Sequence, residues 1–268
     1  DSATALATQQ SIKAYVDAQV GSFDTLAEVL ANGNTTGGTD LVISSGDTLT
    51  VTGDINANGS IKLDGNYPVG TQNVALGDTA LALSSGDANT ALGASALEAN
   101  TTASDNTAVG ARALYVNTTG SQNTAVGRIA LAANTTAPNN TAVGYSVLNA
   151  NTTGSNNTGV GRSALAANTT ASNNTALGYN AGTAITIGFN NTFVGSTTGD
   201  ALTTGDYNVA VGLSALGAET TGNKSTAMGT GALASQNNTG DPDVFNTAIG
   251  FEAGAAVTTG VNNTLIGG

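Results

Sequence analysis

A chain of 268 residues with 9% charged and 4% aromatic side chains, and 36 glycines, cannot assemble a thick conventional core. A net charge of −12 with six lysines and arginines in all argues against a basic nucleic-acid-binding face, so no nucleic-acid partner is expected. The complete lack of histidine and cysteine removes the commonest general base, the commonest metal ligand, thiol chemistry and any disulfide framework.

In chain order, the first predicted element is an N-terminal helical, trimerising segment over residues 1–33. Ile12, Val16, Val20, Phe23, Leu26 and Leu30 recur at three- and four-residue spacing. Gly21-Ser22 breaks the run into two helices, with Ser22 or Asp24 as the second N-cap and Gly33 as the stop. So narrow an apolar seam needs a partner, and another copy of the chain is the simplest one. The chain opens at Asp1 without methionine and stops in mid-repeat at Gly267-Gly268, which reads as a piece of a longer protein. It shows no signal peptide, and no apolar run nears the ~20 residues that span a bilayer, so no membrane insertion is expected.

Residues 34–69 read as a neck of short β-strands. Leu41–Ile43, Leu49–Val51, Ile55 and Ile61–Leu63 alternate with polar residues and are punctuated by Gly46, Gly53 and Gly59.

From residue 70 to 268 one word, Asn-Thr-Ala-Val-Gly, keeps returning. Its glycines are spaced 16 (Gly77 to Gly93), then 17 at every step to Gly229, then 21 and 17. The full unit is N-T-A-V-G-x-x-A-L-x-x-N-T-T-G-S-N, as in residues 106–122. The fold class this implies is mostly β: a β-solenoid, or β-roll, of about twelve 17-residue coils. Each coil is expected to hold two short strands and two corners. Thr107 and Val109 should share one face with Ala108 on the other, Ala113-Leu114 should form the second apolar element, and Asn117–Ser121 a corner. Stacking at ~4.8 Å would run a core column of Val over Leu along a rod of roughly 55–60 Å. The small alanines are expected to let neighbouring chains approach closely, which favours a parallel homotrimer.

Asn106, Asn123, Asn140, Asn157, Asn174 and Asn191 keep one phase and predict a structural asparagine ladder. The residue after the repeat glycine reads Arg128, Tyr145, Arg162, Tyr179 in successive coils, which predicts an alternating cation–aromatic stripe on one edge. Such a stripe stabilises the coils, and it also offers tyrosine platforms and guanidinium donors to sugar rings, so surface glycans are a candidate partner.

No catalytic, cofactor-binding or metal-binding residues are assigned, and no enzyme activity and no cofactor are expected. Asp200 with Asp206, or Asp241 with Asp243, are the acid pairs nearest in kind to a glycoside-cleaving dyad, but turn aspartates are the more economical reading. The coil between Gly229 and Gly250 is longer, and its Asn237–Asp243 stretch reads as a solvated loop rather than a calcium site. The Asn-x-Thr triplets at Asn100, Asn117, Asn134, Asn151 and Asn168 read as corners of the repeat rather than glycan acceptors.

The stretches Thr4–Asp17 (TALATQQSIKAYVD) and Thr25–Asp40 (TLAEVLANGNTTGGTD) resemble segments of bacteriophage tail fibres, notably those of marine cyanophages. Gly178–Gly182 (GYNAG) and Gly188–Gly195 (GFNNTFVG) resemble arrays that precede an intramolecular chaperone of the endosialidase type in phage fibres. The coils are also similar to the head repeats of trimeric autotransporter adhesins. The resemblance implies a homotrimeric structural fibre of a phage virion, acting as rigid spacer and host-surface attachment protein, located on the phage tail or otherwise outside the cell. No chaperone follows here, which fits either its removal on maturation or a chain that is simply cut short. The rival reading is a cellular extracellular filament or adhesin, and a polysaccharide-degrading spike is the third.

Overall fold

The structure is a computed structural model that describes residues 70–267; the helical segment expected over 1–33 and the neck expected over 34–69 lie outside the described residues. The described part is a parallel β-solenoid. Its strands are β1 (Val74–Leu76), β2 (Thr90–Leu92), β3 (Thr107–Val109), β4 (Thr124–Val126), β5 (Thr141–Val143) and β6 (Thr158–Val160), followed by β7 (Thr175–Leu177), β8 (Thr192–Val194), β9 (Val209–Val211), β10 (Thr226–Met228), β11 (Thr247–Ile249) and β12 (Thr264–Ile266). They form one sheet in strict sequence order, every neighbour parallel. Register follows the repeat: Thr107 pairs with Thr124 and Thr124 with Thr141, while the 16-residue coil sets Val74 opposite Thr90. The longer coil is absorbed between β10 and β11, where Thr226 still meets Thr247. Eleven strand spacings of ~4.8 Å make the sheet ~53 Å long.

The core corrects two expectations. The strand alternation is the reverse of a Val-lined interior: Ala91, Ala108, Ala125 and Ala142 are fully buried, whereas Val109 and Val143 are more than a third exposed. The alanines therefore line each coil's own interior and do not face a neighbouring chain. The core column is alanine against leucine, because the interior of a 17-residue coil is too thin for a branched side chain from both walls.

The second apolar element is also not a strand; each coil contributes one strand only. Ala113 and Leu114 are adjacent, yet both are fully buried. In extended backbone, consecutive side chains point to opposite faces. Leu114 turns inward by adopting φ +51°, and Leu97, Leu131, Leu148 and Leu165 do the same at +49° to +51°. Such a conformation costs an L-residue roughly 1–2 kcal/mol. It is held by bonds between coils, for example Leu97 N–H to Ala113 O (3.1 Å) and Leu114 N–H to Ala130 O (3.0 Å).

The repeat glycine is required by close approach. Gly110 has φ +131°, and a Cβ there would lie 2.6 Å from the carbonyl carbon and oxygen of Gly127 in the next coil. The column of glycines is thus the place where two backbones touch without side chains between them.

Core volume is conserved by local exchange. Where Val147 replaces the usual alanine, the facing strand residue shrinks to Gly159, whose added Cβ would come 2.5 Å from Val147 Cγ1. Where Phe193 takes the strand-centre position, glycine stands at the leucine position in its own coil and the one before. A Cβ on Gly182 would lie 2.8 Å from Phe193 Cδ2, and one on Gly199 2.6 Å from Cδ1. In the same two coils the corner asparagine gives way to buried Ile185 and Leu202.

Candidate functional site

Four surface features carry chemistry. The first is the stripe read from sequence. Arg128, Tyr145, Arg162 and Tyr179 fall in one column one coil apart. The Arg128 guanidinium carbon lies 5.8 Å from the Tyr145 ring centroid, and that of Arg162 lies 5.9 Å from Tyr145 and 5.7 Å from Tyr179. Arg128 and Arg162 Nη1 each stand 3.5 Å from the hydroxyl of the tyrosine that follows. Stacking at the strand repeat brings an arginine within cation–π range of the ring on each side. Tyr145, flanked by Arg128 and Arg162, and Tyr179 both stay partly exposed at 43% and 45%, so their rings can still meet a ligand.

The second feature is the outward face of the sheet. With alanine turned inward, the position of Val109 points outward in every coil, from Leu76 through Val143, Leu177, Met228 and Ile249 to Ile266. Leu76, Leu177 and Ile266 are 57%, 48% and 77% exposed. An unbroken apolar column ~53 Å long on a parallel sheet is larger than the scattered apolar residues of an ordinary surface.

The third is an aromatic group that sequence reading missed. Phe189 and Tyr207 meet edge-to-face at 5.4 Å, and Lys224 Nζ lies 5.1 Å from the Phe245 centroid. Tyr207, Lys224 and Phe245 occupy the position before the ladder residue, Asn208, Ser225 and Asn246, in successive coils. The available signal was that this position, Asn139, Asn156, Asn173 and Asn190 earlier, changes character at residue 207.

The fourth is the long coil. Glu219 is fully buried and accepts from the backbone N–H groups of Thr220 (3.0 Å), Thr221 (3.2 Å), Gly222 (2.8 Å) and Asn238 (3.1 Å). Its second oxygen takes Gln236 Nε2 (2.9 Å), which also donates to Ser225 Oγ (2.9 Å), while Gln236 Oε1 receives Asn246 Nδ2 (2.7 Å). The buried carboxyl is thus met by N–H donors rather than a cation, and the network splices the coil where the extra residues enter. The loop acids are engaged as well: Asp243 pairs with Lys224 at 2.6 Å and Asp241 accepts from Asn223 at 3.1 Å. Among the described residues no three acids cluster in a way that would hold a metal ion. Asp200 and Asp206 both have carboxyls held above the ordinary range by burial; at Asp206 the Phe189 N–H opposes this and the nearby Asp241 adds to it.

Two asparagine ladders run inside the coils. In the one read from sequence, each Oδ1 accepts the backbone N–H of the next asparagine: Asn123 to Asn106, Asn140 to Asn123 and Asn157 to Asn140, each at 2.9 Å. Asn174 and Asn191 continue it at 3.0 and 2.9 Å. The side-chain nitrogens mostly cross to carbonyls such as Ala137 and Gly154 (2.9 Å). The amides therefore pin the backbone of the coil rather than simply stacking on one another. The second ladder comprises Asn100, Asn117, Asn134, Asn151 and Asn168, read from sequence only as corners. Nδ2 of Asn134, Asn151 and Asn168 donates to the preceding Oδ1 at 2.8, 3.0 and 2.7 Å, and also to the carbonyl three residues on. All five are fully buried, so these Asn-x-Thr nitrogens are closed to glycan attachment in the folded coil. The ladder stops at Ile185, which leaves Asn168 Oδ1 buried without a donor.

No protein-family model, curated protein or solved structure matches the chain.

Proposed function

We propose that the chain is a rigid segment of a homotrimeric extracellular fibre, in a phage virion as its resemblance to tail fibres implies, serving as spacer and host-surface attachment element. The observation that carries this reading is the exposed apolar column on β1–β12, which runs unbroken for the length of the sheet. A solenoid needs no such column for its own core, since alanine and leucine already fill the interior. Three parallel copies turned inward would bury the column along a common axis, as chains do when a repetitive apolar seam meets itself. Parallel hydrogen bonding at every coil and two internal amide ladders supply the stiffness of a spacer. The Arg128–Tyr179 stripe supplies the attachment chemistry, with ring faces for sugars and guanidinium donors for their hydroxyls. An adhesin or filament on a cell surface would use the same features and is the alternative.

Native mass spectrometry at micromolar concentration is expected to give three times the 26.0 kDa chain, and a monomer alone refutes the assembly. For attachment, Tyr145→Ala combined with Tyr179→Ala is expected to lower binding to host cells while leaving the assembly mass unchanged. Unchanged binding removes the glycan role of the stripe.

A further inference from the structure

Charge is spread along the rod very unevenly. Residues 106–199 contain Arg112, Arg128 and Arg162 and not one Asp or Glu, a window of +3 in a chain of −12. At the strand repeat this window covers ~26 Å of the rod. Acids resume on either side, at Glu98 and Asp105 before it and at Asp200 and Asp206 after it. All three arginines are exposed, and the window has no carboxylate of its own to neutralise them. It also holds three tyrosines. The Arg112 guanidinium carbon stands 5.3 Å from the Tyr115 centroid, and Arg128 and Arg162 alternate with Tyr145 and Tyr179 in one column. A surface of one sign bounded by the other both attracts an oppositely charged partner and fixes where it sits.

The stack limits how this surface makes contact. Tyr145 has the Arg128 guanidinium on one side and that of Arg162 on the other, at 5.8 and 5.9 Å, so both faces of its ring are occupied. Arg162 lies in turn between Tyr145 and Tyr179. What the column turns outward is therefore its edge, made of guanidinium N–H groups and the two phenol hydroxyls beside them. A guanidinium stacked on a ring keeps its in-plane donors, and these suit a carboxylate, sulfate or phosphate better than a sugar hydroxyl. Tyr179 alone in the column has an open ring face, because the short Ser196 follows it.

On the reading of the stripe as an attachment surface, we propose that its ligand is an acidic polysaccharide lying along the rod, with an anionic group on alternate sugars. Arg128 and Arg162 each bind one anion edge-on, and a sugar ring stacks on the far face of Tyr179. The two arginines stand two coils, ~9.6 Å, apart. A disaccharide in an extended β-linked chain advances by a similar length, so a charge on every second sugar meets both. Duplex nucleic acid sets phosphates far more densely, every ~3.4 Å along a strand, and would leave most of them without a cation here. A neutral glycan would draw nothing from the charge window.

The probe is a hyaluronate oligomer, a β-linked chain with a carboxylate on alternate sugars, compared with its methyl ester by biolayer interferometry on the intact chain. The acid is expected to bind about tenfold more tightly than the ester at low ionic strength, and to weaken as salt nears ~0.15 M, where the Debye length is ~8 Å. Arg128→Gln with Arg162→Gln is expected to lose about tenfold for the acid and little for the ester, whereas Lys224→Gln, outside the window, changes neither. Equal binding of acid and ester, no binding of the acid, or an unaffected arginine variant overturns the proposal. An oligothymidylate that binds as tightly as the acid, and is lost in the same variant, overturns the polysaccharide class. Tyr145→Ala with Tyr179→Ala on host cells separates this from the attachment reading. Lost cell binding together with equal binding of acid and ester overturns the proposal alone. Acid-selective binding together with unchanged cell binding supports the site and removes its use in attachment.

Discussion

Val147 and Gly159 offer a test of whether the thin core is packed as a set of compensating volumes. Val147→Ala removes two methyl groups from a fully buried side chain, roughly 1.6 kcal/mol at ~0.8 kcal/mol per group, and the cavity raises this to about 2–3 kcal/mol. Gly159→Ala alone gains about 0.5–1 kcal/mol from the unfolded chain, because Gly159 lies in ordinary strand backbone of β6. It also drives a methyl to 2.5 Å from Val147 Cγ1, an overpacking of about 1–3 kcal/mol, so the single variant is expected to be destabilised by about 1–2 kcal/mol. Together the two changes rebuild the alanine pair found elsewhere, as at Ala130 and Ala142, and the double variant is expected within ~1 kcal/mol of the parent. Thermal unfolding followed by circular dichroism reads this as a fall of about 4–12 °C for Val147→Ala, about 2–8 °C for Gly159→Ala, and under ~4 °C for the pair. If the two losses simply add within ~0.5 kcal/mol, the residues do not share a cavity and the reasoning fails.

Two further outcomes are expected. Gly144→Val should lower the thermal midpoint far more than Ser146→Val, because Gly144 sits at φ +133° with its missing Cβ aimed at the Gly161 carbonyl. Ser146 (φ +58°) shares its phase with the β-branched Ile129 and Thr197 at +54° and +50°; equal midpoints would contradict the phases. Asp206→Asn should raise stability at pH 7, since it removes a carboxylate disfavoured by burial and by Asp241 but keeps the Oδ1 acceptor for Phe189 N–H. A raised folded pKa means the native state binds the proton more tightly than the unfolded state does. The parent is therefore penalised above that pKa and recovers as pH falls through it toward the ordinary carboxyl value of 3.8. The gain from Asp206→Asn should accordingly shrink on acidification, and a pH-independent gain between pH 7 and 3 would assign it to another cause.

The repeat itself decided a good deal. A phase-locked glycine and asparagine every 17 residues leave parallel stacking as the way equivalent residues meet, because only then does each residue face its own copy one coil on. That logic fixed the coil length, the order of the strands, the asparagine phase and the vicinity of Arg128, Tyr145, Arg162 and Tyr179. It did not fix which side of a three-residue strand faces inward. Thr-Ala-Val alternates equally well either way, and the choice of alanine depends on the space left by Leu114 and its equivalents on the opposite wall. Adjacent burial of Ala113 and Leu114 was hidden too, since a left-handed leucine carries no compositional mark such as glycine would. The corner asparagines looked like turn residues because their ladder exists only once coils are stacked. Glu219 carried no mark of its burial in the sequence because its donors Gln236 and Asn238 arrive from the next coil. The sequence by itself determined the period and therefore the architecture. The tertiary structure decided the direction of every side chain, because inside and outside are defined only when one coil lies on another.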